Sequence, residues 1–333
     1  MKLLRYFSKG WYRLLAAVVL LAALLLPDVG TPEVLTEGEW PELTADGFMP
    51  GQEEFVYADA EVGLWRYCGP DLKIEIIRRS EKEPRQVIWY EAEVRSKKDN
   101  FKPITAFRGE HFRKTDWPET VCSKRGAVLA INGDYSCGRW ANMRYKKKRY
   151  LVGIQIRDGE IFNTETHKSG GTSFPNMDTL ALYPDLRMEV HESKELTAEE
   201  YVAAGAADVL SFGPWLIRDG EINPLLDKFP TSTAPRTAIG MVAPGYYWAM
   251  MLEGRYQESR GGTLSFLAEK MLEKGCTTGF NLDGGETSCI LFMGKQINKV
   301  GNSHNRKGYA RKGAEFLAIG TSALVEGYDP DAE

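Results

Sequence analysis

The chain has 333 residues, 43% of them hydrophobic and 26% charged, with a formal net charge of −4. That length carries a sizeable core in one large domain or two small ones. The mild negative charge excludes the broadly basic surface of a nucleic-acid binder, and the hydrophobic content excludes a disordered chain.

The first thirty or so residues stand apart. Lys2, Arg5, Lys9 and Arg13 precede an unbroken apolar run, Leu14 to Leu26, closed by Pro27 and Asp28. A basic flank before such a run is the plan of an export signal. The run is shorter than the roughly 20 residues of a full membrane span. Residues 1–30 are therefore predicted to be a signal peptide or an uncleaved N-terminal membrane anchor, which puts the remainder outside the cytoplasm. Residues 31–60, rich in Glu, Pro and Gly, read as a linker, and 61–326 as the folded domain. The five cysteines (Cys68, Cys122, Cys137, Cys276 and Cys289) are odd in number. Their spacing permits local disulfides between Cys122 and Cys137 and between Cys276 and Cys289. Buried free thiols are the alternative, and no zinc pattern is present.

Leu72–Arg78 alternates like a half-buried strand, and Gln86–Val94 reads as its hairpin partner. Ala127–Ile131 is continuously apolar, as a strand buried on both faces would be. It runs out into Asn132-Gly133-Asp134, a rim where polar groups can gather, although an ordinary Asn-Gly turn has the same sequence. The basic run Lys146–Arg149 reads as a solvated loop, or as a contact for an anionic polymer. Val152–Ile161 and Val209–Ile222 each read as strand, Asp-Gly turn, strand. Thr179–Tyr183 and Arg187–Val190 are further short strands. Thr197 opens a short helix with the capping-box pattern. Pro235–Val242 is a strand that starts at Arg236, and Tyr246–Leu252 is the next, ending in Glu253-Gly254-Arg255. Thr263 caps an amphipathic helix that Gly275 stops. Thr277–Leu282 then leads into Asp283-Gly284-Gly285-Glu286-Thr287-Ser288, and Phe316–Gly320 is the final strand. Two adjacent glycines between apolar segments mark a tight turn. This one carries two carboxylates and two hydroxyls, where a plain polar hairpin would need neither.

Four motifs occur in one order: Ala130-Ile131-Asn132-Gly133, Ser211-Phe212-Gly213-Pro214, Pro235-Arg236-Thr237-Ala238-Ile239-Gly240 and Asn281-Leu282-Asp283-Gly284-Gly285. In that order the chain resembles the phosphodiester glycosidases over roughly residues 70–325. It departs from them at Glu286, at Glu253 and after Gly133. The resemblance implies an α+β fold, mixed β-sheets with few helices, in a single large catalytic domain. It implies hydrolysis of a sugar-1-phosphodiester of the GlcNAc-1-phosphate type, in a cell-envelope or exopolysaccharide glycan.

Such chemistry needs a carboxylate to activate water or to stabilise positive charge at C1. Asp283 is the first candidate, with Glu286 and Glu253 as the other carboxylates and His304 as a further acid or base. The phosphate needs donors. Arg236 supplies a bidentate fork, the Gly284 and Gly285 amides an anion nest, and Arg311 a second cation. Asn132 and Asn281 are candidates for sugar hydroxyls. No cofactor is expected, and no His/Asp set calls for a metal, although Asp283 and Glu286 as oxygen ligands are the metal-dependent alternative. The expected partner is a phosphorylated carbohydrate or an anionic wall glycan, with no nucleic acid, and the membrane only through an uncleaved N-terminus. The alternative of another class is a non-catalytic envelope module that binds anionic glycan.

Overall fold

The computed structural model describes residues 40–105, 115–134, 153–164, 168–169, 172–173, 177–228, 232–301 and 308–332. The expected signal or anchor, the Lys146–Arg149 run, Cys137 and His304 lie outside them. Contacts divide the chain into Met1–Glu42 and Leu43–Glu333, and every described helix and strand belongs to the second unit. That unit begins before the boundary expected at 61. Thr44 accepts the Phe48 amide in a tight turn, and the Met49 amide bonds the Gly69 carbonyl.

The strands begin with β1 (Phe55–Asp59), β2 (Leu64–Cys68), β3 (Leu72–Glu81), β4 (Val87–Ser96) and β5 (Phe101–Thr105). Helix α1 (Pro118–Lys124) precedes β6 (Ala127–Asn132), β7 (Gln155–Arg157), β8 (Glu160–Asn163), β9 (Lys168–Ser169) and β10 (Thr172–Ser173). Then come β11 (Asp178–Leu182), β12 (Met188–His191), helix α2 (Ala198–Ala203), β13 (Asp208–Phe212), β14 (Trp215–Arg218) and β15 (Glu221–Ile222). Strands β16 (Arg236–Ala243) and β17 (Tyr246–Leu252) lead to helix α3 (Leu264–Glu273) and β18 (Thr278–Leu282). The chain ends with β19 (Ile290–Phe292), β20 (Lys295–Gln296) and β21 (Glu315–Thr321).

These form a nine-stranded sheet in the order β1-β2-β3-β4-β17-β16-β18-β14-β15 and two five-stranded sheets, β12-β11-β13-β7-β8 and β20-β19-β6-β21-β5. A small β10-β9 ribbon completes the set. The expected α+β class holds, and every pairing among the described strands is antiparallel.

Apolar alternation sets the layers. One face of the nine-stranded sheet (Ile74, Ile76, Ile239, Met251, Phe280) packs on Leu129, Ile131 and Leu317 of one small sheet and on Leu180 and Leu210 of the other. Its opposite face carries Ala238, Met250 and Leu252, which pack against Leu264, Leu267, Ala268 and Met271 of α3. The helices behave as their caps predict. Thr197 and Glu200 form a reciprocal capping box, and Thr263 accepts the Phe266 amide at 3.1 Å. The turns Asp158-Gly159 and Asp219-Gly220 have positive φ at both residues, as tight hairpins require. Cys68, Cys122, Cys276 and Cys289 are free and buried. The Cys276–Cys289 bridge that the spacing permits is therefore absent, because each thiol is packed in a different apolar cluster.

The connection through α3 positions the site. Strands β17 and β18 lie on either side of β16 and run antiparallel to it, so they run parallel to each other, with α3 as the crossover. The ends of β18 and β6 and the start of β16 thereby come to one edge.

Candidate active site

The pairing of β16 with β18 runs as far as Thr237 opposite Leu282. One residue further, Arg236 and Asp283 leave the ladder together. Asp283 is 7% exposed. Its Oδ1 accepts the Gly284 amide at 2.8 Å, and Arg311 Nη2 lies 3.6 Å from its Oδ2. The Arg311 amide in turn donates to the Glu286 carbonyl at 2.8 Å. The turn is clamped from the other side too. Thr287 Oγ1 donates to the Gly284 carbonyl at 2.8 Å, and the Gly285 amide to the Pro235 carbonyl at 2.9 Å.

Asn132, at the end of β6, is a staple between sheets. Its Nδ2 donates to the Asp283 carbonyl at 2.6 Å. Its Oδ1 accepts Thr237 Oγ1 at 2.6 Å and the Cys289 amide at 3.1 Å. One buried side chain thus fixes β6, β16, the start of β19 and the residue carrying the candidate carboxylate. Asn281 is also buried. Its Nδ2 donates to the Gly213 carbonyl at 2.7 Å, while its Oδ1 has no partner among the described residues. An unpartnered buried acceptor is uncommon and marks a place where a polar ligand would be welcome.

Arg236 donates through Nε to the Gly262 carbonyl at 3.0 Å and through Nη2 to the Ser232 carbonyl at 3.2 Å. Burial, and then the neighbouring Arg255 charge, hold its pKa below the ordinary guanidinium value.

Two expectations change in this geometry. The Gly284 amide is taken by Asp283 Oδ1 and the Gly285 amide by the Pro235 carbonyl, so they do not form an open anion nest; the glycines admit close neighbours instead. A Cβ on Gly284 would stand 3.1 Å from the Pro235 carbonyl oxygen, and one on Gly285 would stand 3.0 Å from Arg255 Nη2. Glu253 is not presented to a ligand either. Its Oε1 accepts Tyr90 Oη at 3.2 Å and the Lys299 amide at 2.5 Å, and Tyr256 Oη donates to its Oε2. A carboxylate 1% exposed and filled with donors is a structural anchor.

Several residues escape a sequence reading. Arg255 ends the Glu253-Gly254-Arg255 segment, and only its contact with Gly285 shows that it belongs to this edge. Directly behind Asn132-Gly133 lies a buried ionic cluster. Arg157 donates Nε and Nη2 to Glu315 at 3.0 and 2.6 Å, and Nη2 also pairs with Asp134. The Ser211 amide and Gln155 Nε2 complete the Asp134 carboxylate. Burial raises the pKa of both carboxylates against the pull of Arg157. No spacing in the chain links these positions, since they come from three different strands and a loop. Among the described residues no group of three or more His, Cys, Asp or Glu side chains is placed to hold a metal ion.

These features define a class: a layered antiparallel β-sheet domain with Asp283, paired to Arg311, at a strand end beside the start of β16 at Arg236. The phosphodiester glycosidase family matches residues 125–319, and the chain belongs to that family. It is 27% identical over 209 residues to the SPbeta prophage-derived uncharacterized protein YomE of Bacillus subtilis, a match covering 61% of this chain and 30% of that protein. It thus spans less than a third of the length of that curated relative. In fold it is similar to the catalytic domain of zebrafish N-acetylglucosamine-1-phosphodiester alpha-N-acetylglucosaminidase, auto-inhibited by its pro-peptide. The TM-score is 0.58 with 18% identity, over 76% of this chain and 85% of that one. A hypothetical protein from Synechocystis matches with a TM-score of 0.50 and 11% identity, over 76% of this chain and 63% of that one.

Proposed function

We propose that the protein hydrolyses a sugar-1-phosphodiester of the GlcNAc-1-phosphate type in an extracytoplasmic glycan. The observation that carries this reading is the Asp283 turn. A carboxylate at a strand end is held through its backbone by Asn132, flanked by Arg311, and shares its edge with Arg236. Family membership supports the reaction class, and the basic-apolar N-terminal sequence supports the location, by export or anchoring.

In this reading Arg236 and its neighbours take the phosphate, and Asp283 faces the anomeric carbon. Water adds its hydroxyl to C1 as the C1–O bond breaks, and the electron pair leaves with the phosphate oxygen. The products are the free sugar and a phosphomonoester. A phosphate leaves readily, so the demand falls on a carboxylate that removes the water proton or stabilises positive charge at C1. Glu286, at the turn, lies next in line to interact with a substrate group. Asn281 Oδ1 is suited to accept a sugar hydroxyl.

The test is release of GlcNAc from an aryl ester of GlcNAc-1-phosphate in ¹⁸O-water. The expected result is label on the sugar C1 and none on phosphate. Asp283→Asn, which retains an acceptor for the Gly284 amide, is expected to lower kcat by about 10²–10⁴-fold with an unchanged melting temperature. Label on phosphate, or full activity in Asp283→Asn, would overturn the assignment. Binding of wall glycans with no turnover would establish the non-catalytic alternative.

A further inference from the structure

Arg311 reaches Asp283 from a stretch that belongs to no described strand. Among the described residues between β20 and β21 the backbone is tied by single bridges, Val300 with Gly308 and Asp116 with Gly313, and β21 begins only at Glu315. Arginine has a long, flexible side chain, so its guanidinium is placed only where its backbone is fixed. Side-chain hydrogen bonds centred on Gln296 fix it. Gln296, the last residue of β20, uses its whole amide group. Its Oε1 accepts the Ala310 amide at 3.0 Å, and its Nε2 donates to the carbonyls of Asn298 at 2.9 Å and Gly308 at 3.4 Å. It thus spans the outgoing and returning limbs and ends one residue short of Arg311. Ala310 is fully buried in one apolar cluster with Val300, Cys289 and Leu291, a setting in which an amide that loses its acceptor is costly. The Arg311 amide continues to the Glu286 carbonyl at 2.8 Å, and its Nη2 stands 3.6 Å from Asp283 Oδ2.

Asn298 ties the same group of bonds back to the Asp283 turn. Its Oδ1 accepts the Ile290 amide at 2.9 Å, and its Nδ2 donates to the Ser288 carbonyl at 3.3 Å. Ser288 and Ile290 flank Cys289, whose amide Asn132 holds. The contacts close into a ring that runs from the turn through Asn298, Gln296 and Ala310 to Arg311, and back to Asp283 across the ion pair. Asn132 holds the backbone of the carboxylate, and Gln296 holds the backbone of its cation. The chemistry of residue 296 follows from this. Glu has the acceptor but no hydrogen for the two carbonyls, Met has the length and neither polarity, and Asn is one methylene short.

We infer that Gln296 is a positioning residue for the hydrolytic site: through Ala310 it sets the Arg311 guanidinium against Asp283, so that the carboxylate meets the substrate in one orientation. The effect on hydrolysis rests on the hydrolase reading, but the placement of Arg311 is testable without turnover.

The test is a double-mutant cycle on the full chain, with the aryl ester of GlcNAc-1-phosphate as substrate. Gln296→Met is expected to lower kcat by about 10–100-fold. KM should stay within about three-fold, because the orientation of the carboxylate counts in the transition state. In an Arg311→Ala background the same change should alter kcat by no more than about two-fold. Equal losses in both backgrounds would overturn the inference and leave Gln296 a residue that only stabilises the fold. Gln296→Glu, which keeps the acceptor for Ala310, goes through the same cycle with the same expectation if the methionine variant does not fold. Amide hydrogen exchange, resolved by residue and measured without substrate, supplies the second readout. Ala310 loses protection in Gln296→Met simply because its acceptor is gone. The Arg311 amide keeps its own acceptor, the Glu286 carbonyl, so its loss of protection reports that the segment has moved. An Arg311 amide as protected in Gln296→Met as in wild type would overturn the inference. The two readings fail separately. Loss of Arg311 protection in a chain that hydrolyses no sugar phosphodiester keeps the positioning and defeats the hydrolase reading. Hydrolysis that depends on Asp283, with equal losses in the two backgrounds, does the reverse.

Discussion

Asp283 is positioned less by its own carboxylate than by the Asn132 side chain behind it. The Asn132 amide group accepts on one side, from Thr237 and Cys289, and donates on the other, to the Asp283 carbonyl. Only a side chain with both polarities satisfies all three partners, which explains an Asn at the end of an otherwise apolar strand. Asn132→Asp preserves shape and the two accepted bonds, but it sets a carboxylate oxygen against the Asp283 carbonyl at a buried site. Loss of that bond and the repulsion replacing it are expected to cost about 2–4 kcal/mol of stability by urea denaturation, and hydrolysis should fall more than ten-fold under conditions where the chain remains folded. Full activity with wild-type stability would show that Asn132 does not position the turn. The sequence places Asn132 at the end of a buried strand but suggests a sugar contact, because spacing alone cannot distinguish a ligand-facing amide from one consumed between sheets. Glu253 misleads in the same way: a carboxylate beside Gly and Arg looks available until Tyr90, Tyr256 and the Lys299 amide are seen to fill it.

At the level of elements, the crossover from β17 through α3 to β18 is the legible part. The apolar face of α3, its Thr263 cap and the Gly275 stop are local signals, and they locate Asp283 at a strand end. What no local signal contains is that β16 lies between β17 and β18, and that β4 continues the sheet on the far side of β17. That order arises from long-range pairing. Gly240 shows how closely these elements approach. A Cβ there would stand 2.5 Å from the Thr278 carbonyl oxygen and 2.5 Å from Met271 Cε, so it would press on β18 and on α3 together. The Met271 end can move, but the β18 backbone cannot move without disturbing the ladder that ends at Asp283. Gly240→Ala is expected to destabilise the fold by roughly 1–3 kcal/mol, as overpacking does, measured by urea denaturation. A neutral result would mean that β16 and β18 adjust freely, and that the edge they form is softer than its hydrogen bonds indicate.

At the scale of the whole molecule, the two small sheets are joined by charge as well as by apolar packing. Arg157 on β7 pairs with Glu315 on β21 and with Asp134 beyond β6. Asp208 on β13 accepts the Asp158 amide at 3.3 Å in the same interior region. Burial pushes the Asp208 pKa up to about 6; the Arg157 charge opposes this, and the Asp158 and Asp99 charges add to it. A carboxyl whose pKa is higher in the folded than in the unfolded chain binds its proton more tightly when folded. Its contribution is fully present below the unfolded value of roughly 3.9. It is lost as pH rises through the folded value of about 6, and above that the ionised group is a constant burden. The shift from 3.8 to about 6 corresponds to roughly 3 kcal/mol. Asp208→Asn keeps an acceptor for the Asp158 amide and carries no charge. Wild type and variant are therefore expected to be nearly equal in stability near pH 4. The variant should gain progressively through pH 5 and 6 and level off by pH 7, as read from denaturation midpoints at each pH. Because the other buried carboxylates titrate in both proteins, the difference between the two curves isolates Asp208. A pH-independent difference would remove Asp208 from the set of groups linking proton binding to folding, and would leave Asp134 and Glu315, competing for Arg157, as the pair that shares the proton behind the active-site edge.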